Sequence, residues 1–247
     1  MVLHLFITLK NKLIKFQLHI VLLLFSFSAF AQQQRIKNLP GFENTKKIHF
    51  GFYLGVNNLG VDVKYKSALL QNDTIYTALV RGQYGFNLGI VADIHLGDGF
   101  DLRLVPALVF GQRDFEYQAK VKGNIIENQT RIVESTYLDF PISLKYKSER
   151  VNNGRFFFLG GFKPAFDMAS LKKVDSKNTK VVRLQPWELS CHVGFGVDLY
   201  FEYFKLSPQI MFNYGRNNLL IQDGTAYTSL IDQVKARSFV IALTFEG

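Results

Sequence analysis

The chain has 247 residues, a formal net charge of +9 at pH 7 and a single cysteine, Cys191. One cysteine excludes an intrachain disulfide, and a modest basic excess without a clustered basic patch argues against nucleic acid as a partner. The sequence shows no internal repeat and no low-complexity domain. We therefore expect one domain with long loops.

The first 31 residues predict a secretory signal peptide. Three lysines precede an apolar stretch over residues 18–31, whose last three residues, Ala-Phe-Ala, have the pattern of a cleavage site. With about fourteen residues, this stretch is shorter than the ~20 that a membrane-spanning helix requires, which argues against the alternative of an N-terminal anchor. The mature chain is predicted to begin at Gln32. Its net charge is +6, because cleavage removes three lysines and no acids (9 − 3).

Residues 32–48 have no hydrophobic period and contain the turn-forming pair Pro40-Gly41. They are predicted to form a periplasmic tail. Residues 49–247 are then predicted to form a single barrel domain.

Eight segments of this domain alternate apolar and polar residues. In chain order they lie near residues 50–64, 84–96, 100–110, 138–146, 156–168, 189–202, 206–214 and 239–245. The sixth is the clearest, because its odd positions from Leu189 to Phe201 are apolar and its even positions are mostly polar or glycine. Successive side chains of a strand point to opposite faces, so each segment predicts a strand with one apolar and one polar face.

The predicted connections alternate in length. Short turns lie near residues 97–99, 148–154 and 202–205, and longer polar loops lie near 67–83, 112–136, 169–187 and 216–233. Short periplasmic turns and long extracellular loops are typical of outer-membrane barrels, and an even strand number places both termini in the periplasm. Four prolines inside the strand segments are expected at bulges or strand ends: Pro106, Pro141, Pro164 and Pro208.

Alternation alone does not distinguish a soluble barrel from a membrane barrel. In a soluble, lipocalin-like barrel the apolar faces point inward. Three features favour a membrane barrel: aromatic residues at both ends of the apolar face, the alternating loop lengths, and a glycine-rich polar face that suits a crowded lumen. We therefore predict an all-β, eight-stranded antiparallel transmembrane β-barrel in the outer membrane.

The polar faces place charged residues of both signs in the predicted lumen. A structural network of ion pairs is favoured over a narrow ion path, because eight strands leave an interior just wide enough for side chains. The predicted lumen residues are Asp93, Asp101, Asp139, Asp167, Asp198, Glu202, Arg103, Lys145, Lys163 and Arg237.

A lipid-cleaving Ser/His site is the enzymatic alternative. Its candidates are His95, Ser190 and His192. Ser190 and His192 share the inward face of one strand, whereas His95 lies at the opposite, periplasmic end. The sequence contains no glycine-rich phosphate loop, metal-ligand cluster or nucleophile elbow. We therefore expect no catalytic residue, cofactor, metal or small-molecule substrate.

The loop near residues 169–187 is basic. Above the outer leaflet it offers a site for lipopolysaccharide phosphates or an acidic partner, although a loop kept polar for solubility has the same composition. The lysines of this candidate site are Lys172, Lys173, Lys177 and Lys180.

The segment from Arg35 to Asn57 resembles the PorT proteins of the Bacteroidetes. The most specific part is Arg-Ile-Lys-Asn-Leu-Pro at residues 35–40, followed by His-Phe-Gly at residues 49–51. The resemblance implies an outer-membrane barrel associated with type IX secretion and gliding motility, acting as an accessory part of a larger assembly. It supplies no catalytic residue.

These features define two main functional hypotheses. In the first, the barrel is a non-enzymatic secretion accessory that binds other type IX components, as well as outer-membrane lipid and lipopolysaccharide. In the second, it is a stand-alone structural or adhesion barrel, which has no need of the tail. A lipid-modifying enzyme is the third. The candidate binding residues of the tail are Arg35, Lys37, Asn38, Leu39 and Pro40.

Overall fold

The structure, a computed structural model, describes residues 47–65, 75–97, 99–121, 125–169, 184–222 and 231–247. The tail up to residue 46 and the basic segment 170–183 lie outside the described residues. Among the residues described, no helix is long and apolar enough to cross a membrane. The strands are β1 (Ile48–Tyr65), β2 (Ile75–Gly82), β3 (Tyr84–Gly97), β4 (Phe100–Leu104), β5 (Ala107–Val121), β6 (Ile125–Asp139), β7 (Ile142–Lys147), β8 (Gly154–Asp167), β9 (Trp187–Tyr200), β10 (Lys205–Gly215) and β11 (Ile231–Glu246).

These eleven segments form eight barrel strands. Only Gln83 separates β2 from β3, residues 105–106 separate β4 from β5, and residues 140–141 separate β6 from β7. Each of these pairs therefore runs as one interrupted strand. All neighbours pair antiparallel, and β11 closes the ring on β1, with Gly51 opposite Glu246. The predicted eight-stranded antiparallel barrel is confirmed.

Prolines account for two of the three interruptions. Pro106 and Pro141 lie at the breaks of the third and fourth barrel strands, as expected for residues that cannot donate to a ladder. Their carbonyl groups still accept hydrogen bonds, from the N–H of Ile90 at 3.0 Å and of Val105 at 3.2 Å. Pro164 and Pro208, in contrast, lie inside β8 and β10.

Two of the predicted long loops are shorter in the structure. β5 and β6 pair continuously from Ala107–Asp139 to Val121–Ile125, so most of the predicted loop at 112–136 is strand. The predicted loop at 67–83 likewise loses residues 75–82 to β2. Backbone pairing does not depend on how polar the side chains are, and residues 114–121 still alternate polar and apolar side chains as a strand does.

The apolar faces of the strands point outward. Phe52 is 69% exposed and Phe158 is 63% exposed, whereas the inward side chains Lys145 and Ser190 are fully buried. This is the reverse of a soluble barrel, and a belt of exposed apolar side chains of this extent marks a membrane surface. Aromatic pairs lie near both rims, Phe100 with Tyr146 at the short turns and Phe212 with Phe239 towards the longer loops.

The inward glycines are required by the crowding of the interior. A Cβ atom on Gly161 would meet the carbonyl oxygen of Ile142, and one on Gly196 would meet the ring of Phe157. These positions exclude any larger residue without movement of the backbone or of a buried ring. The polar face is thus rich in glycine because the lumen is filled.

Candidate functional site in the barrel lumen

Charged side chains fill the end of the lumen next to the short turns. Arg103 donates from Nε to Asp93 at 2.7 Å and from Nη2 to Glu246 at 2.6 Å. Lys205 Nζ lies 2.6 Å from the other oxygen of Glu246. We call this group of eight the short-turn cluster, and its members are Asp93, Asp101, Asp198, Glu246, Arg103, Lys145, Lys147 and Lys205.

The remaining members of the short-turn cluster pair in the same way. Lys145 donates to both oxygens of Asp198, at 2.8 and 2.9 Å, and Lys147 donates to Asp101 at 2.8 Å. The cluster holds four acids and four bases, all of them buried. Because each charge removed from water has an opposite charge within hydrogen-bond distance, the cluster is a stable and electrically balanced filling.

One aromatic ring lies inside this charged cluster. Phe157 is 1% exposed, and its ring centroid lies 4.1 Å from Lys145 Nζ and 5.8 Å from Arg103 Cζ. Both distances are within the range of cation–π contact. Phe157 therefore gives the two cations a favourable apolar neighbour, and together they block the lumen at this level.

A second group of charges lies towards the longer loops. Lys163 donates to Asp139 at 2.9 Å, and Arg113 donates to the hydroxyl of Tyr137 at 2.6 Å. Glu188 lies 3.9 Å from both cations. We call these five residues, from β5, β6, β8 and β9, the long-loop cluster.

A small cavity separates the two clusters. Its volume is about 30 Å³, enough for a water molecule but not for a passage. Its wall includes the apolar side chains Val105, Val109 and Leu159, together with Asn57 and Asn87, whose side chains hydrogen-bond to each other. Within the described part of the barrel, buried charged side chains thus lie on both sides of this small chamber.

A serine and a histidine meet at the wall of this cavity. Ser143 Oγ lies 2.7 Å from His192 Nε2, but His192 Nδ1 has no hydrogen-bond partner among the described residues. A nucleophile–base pair normally has a third group that orients the base, and this pair has none within those residues. Both side chains are buried inside the lumen and away from lipid.

The serine and histidines singled out in the sequence do not form one site. Ser190 shares the inward face with His192, as predicted, but its hydroxyl donates to Glu188 at 2.6 Å. His95 lies near the short turns, with Nδ1 2.9 Å from Asp101. No group of three or more metal-ligating side chains occurs in the described ranges.

Most of the predicted lumen charges are confirmed, and two are wrong. Glu202 is exposed in the turn before β10, and Arg237 is exposed on the outer wall of β11. Glu202 follows the end of β9, so strand alternation no longer applies to it, and Arg237 lies on the same face as Phe239. Lumen charges that the sequence reading missed are Arg113, Lys147, Glu188, Lys205 and Glu246. The alternation itself identifies Glu246, two residues after the inward Thr244.

An antiparallel eight-stranded ring with an apolar outer wall and a charged, closed interior defines a small membrane β-barrel. Residues 30–220 match the family described as outer membrane protein beta-barrel domain, which is more than half of the chain. The protein belongs to this family of outer-membrane barrels and is located in the outer membrane.

Several solved outer-membrane structures are similar to the chain at low identity. Neisserial surface protein A is 14% identical over 80% of this chain and 95% of its own, with a TM-score of 0.41. OprG of Pseudomonas aeruginosa is 15% identical over 80% and 96%, also with a TM-score of 0.41. Ail of Yersinia pestis, in complex with the heparin analogue sucrose octasulfate, is 11% identical over 82% and 100%, with a TM-score of 0.38. None of the curated proteins compared with the chain matches it.

Proposed function

We propose that this protein is a non-enzymatic accessory component of type IX protein secretion that acts through its surfaces rather than through its lumen. The closed interior carries this proposal. The short-turn cluster, the long-loop cluster and the ring of Phe157 occupy the described lumen, and the cavity between the two clusters, of about 30 Å³, is too small for a substrate. The specific secretion role rests on the resemblance of residues 35–57 to the PorT proteins.

The position of the tail supports contact with periplasmic partners. β1 begins at Ile48 and β11 ends at Glu246, and Gly51 pairs with Glu246, so both chain ends leave from the rim that carries the short turns. Short turns face the periplasm in bacterial outer-membrane barrels. With that orientation, β1 begins on the periplasmic side, and the proposal assigns the motif at residues 35–40 to contacts with other secretion components there.

The opposite rim is available to partners outside the cell. In this orientation, the described residues on either side of the basic segment are at the outer rim, and the proposal assigns Lys172, Lys173, Lys177 and Lys180 to contacts on that side. The charge of this segment suits lipopolysaccharide phosphates or an acidic surface of another component. The tail and this segment together give one binding surface on each side of the membrane.

A hydrolytic role has little support in the geometry. The Ser143–His192 contact is enclosed by the barrel wall, so a lipid in the surrounding membrane does not reach it. Substituting His192→Ala is expected to leave the lipid composition of the membrane unchanged in a strain that still inserts the barrel. Loss of a defined lipid modification in that variant, with heat-modifiable folding intact, would support the enzyme instead.

Co-purification tests the proposal directly. The tagged full-length protein is purified from mildly solubilised outer membranes, and a second tagged barrel of the same membrane serves as the control for non-specific recovery. We expect type IX components to accompany this protein and not the control barrel. Recovery of the barrel alone, in membranes that contain an assembled type IX system, would favour the stand-alone structural or adhesion barrel.

A further inference from the structure

A groove lies on the outer wall of the barrel, on the side of the longer loops. Its volume is about 490 Å³, and it crosses four neighbouring strands, β9, β10, β11 and β1. At a spacing of about 4.8 Å between strands, it is about 14 Å wide. Outward side chains line it, principally Val193, Cys191, Phe212, Tyr214, Phe239 and Arg237.

Small residues face large ones across the groove. Gly60 pairs with Arg237 on one side of it, and Cys191 pairs with Tyr214 on the other. Phe212 and Phe239, with ring centroids 5.0 Å apart, form its floor towards the membrane centre. The groove is therefore continuous with the apolar wall that faces lipid.

Positive charge borders the groove on the side away from the membrane centre. The outward positions of β11 are Phe245, Leu243, Ile241 and Phe239, and then Arg237 and Lys235, so the apolar column ends in two cations. Arg216 is not itself a lining residue of the groove: it follows β10, two residues after the lining residue Tyr214, and is exposed, with its backbone N–H bonded to the Leu189 carbonyl group at 2.7 Å. Among the described residues, neither Arg216 nor Arg237 forms an ion pair.

The charge of the third cation, Lys235, is partly compensated by its neighbours. Lys235 Nζ lies 5.9 Å from the ring centroid of Tyr214, and Asp62 pairs with Lys235 in the register between β1 and β11. The two arginines therefore carry most of the available positive charge. Guanidinium groups favour phosphate oxygens, because they donate two parallel hydrogen bonds to them.

We propose that this groove binds a phosphorylated glycolipid of the lipid A type, with its phosphates on Arg216 and Arg237 and its acyl chains against Phe212 and Phe239. Free phosphate would make no contact with the apolar floor of the groove. A neutral lipid would leave the arginines without an anionic partner. A groove four strands wide suits a lipid with several acyl chains better than a two-chain phospholipid. The site contains no residue of the tail or of the basic segment at 170–183, so the proposal does not depend on a secretion role.

Native mass spectrometry of the full mature chain in detergent micelles tests this site. The probes are diphosphorylated lipid A, the same lipid without phosphates, and phosphatidylglycerol. We expect lipid A to be retained preferentially. The double variant Arg216→Gln/Arg237→Gln is expected to bind it at least about tenfold more weakly, from the loss of charge-assisted hydrogen bonds.

Two control variants separate a built site from general attraction. Arg81→Gln/Lys47→Gln removes the same charge from exposed positions elsewhere and is expected to bind lipid A like the wild type. Val193→Trp fills the groove without changing its charge and is expected to weaken binding, whereas Ile132→Trp, at a similarly exposed outward position, is not. Equal weakening in both charge variants, unchanged binding in Arg216→Gln/Arg237→Gln, or equal retention of phosphatidylglycerol would overturn the proposal.

Discussion

Arg103 and Glu246 join two strands that are not neighbours. Arg103 Nη2 lies 2.6 Å from Glu246 Oε1 across 143 residues of sequence, and β3 and β1 lie between their strands in the ring. Both side chains are almost completely buried. The contact therefore crosses the lumen and ties the beginning of the third barrel strand to the end of the chain.

Substituting Arg103→Met is expected to destabilise the barrel strongly. The change leaves Asp93 without its arginine partner in the interior and removes one of the two cations on Glu246, and breaking a buried pair in this way costs about 3–5 kcal/mol. The free energy of unfolding, measured by urea titration of the protein folded in lipid vesicles, checks this value.

The control for Arg103→Met is Arg81→Gln. Arg81 forms an ion pair with Glu116 at 3.2 Å, but its side chain is 67% exposed. An exposed pair contributes about 0–1 kcal/mol, so this variant is expected to unfold near the wild-type urea concentration. Equal effects of the two substitutions would contradict the description of the short-turn cluster as a buried network.

The two adjacent glycines of β8 are expected to respond differently to alanine. A Cβ on Gly161 would meet the backbone of Ile142, so Gly161→Ala forces β7 and β8 apart and is expected to cost about 1–3 kcal/mol. On Gly160 the nearest atom would be 3.8 Å away, an ordinary contact, so Gly160→Ala is expected to change stability by less than about 0.5 kcal/mol. Thermal unfolding of both variants in one detergent gives the comparison, and a larger loss at Gly160 would refute it.

The strands and the direction of their faces were predictable, because in a membrane barrel the lipid-facing side of each strand is apolar and the lumen-facing side is polar. In the segment 189–201 the odd-numbered positions, from Leu189 to Phe201, are apolar. The structure places every even-numbered side chain, from Ser190 to Tyr200, inside the barrel. Residues 112–136 are rich in polar side chains and were therefore predicted as a loop, although their backbones pair.

The partners inside the lumen were not predictable, because they depend on register between distant strands. Ser143 and His192 are 49 residues apart, and only the pairing of both strands with β8 brings them together. Ser190, the serine nearer in sequence, bonds to Glu188 instead. Arg237 was predicted to lie in the lumen, but its position in the alternating β11 puts it on the outer wall, where it lines the groove.

The closed lumen predicts that the barrel does not conduct ions. The short-turn cluster and Phe157 leave no path past the small central cavity in the described structure. In planar lipid bilayers, the purified protein is expected to show no discrete steady current above that of a protein-free bilayer. A porin reconstituted in parallel confirms that channels are detectable, and uniform channels formed by the wild-type protein would show that the lumen opens.

Deleting residues 35–47 is the most direct test of the account that a filled barrel acts through its surfaces. The deletion ends before β1, so the barrel is expected to insert normally and to keep its heat-modifiable migration. Secretion of a type IX cargo into the medium is the quantity to measure, beside a strain in which the same length is replaced by a glycine–serine segment. We predict that both strains insert the barrel and fail to secrete. Normal secretion by either strain would contradict a role for the tail and leave the barrel as a structural or adhesion protein.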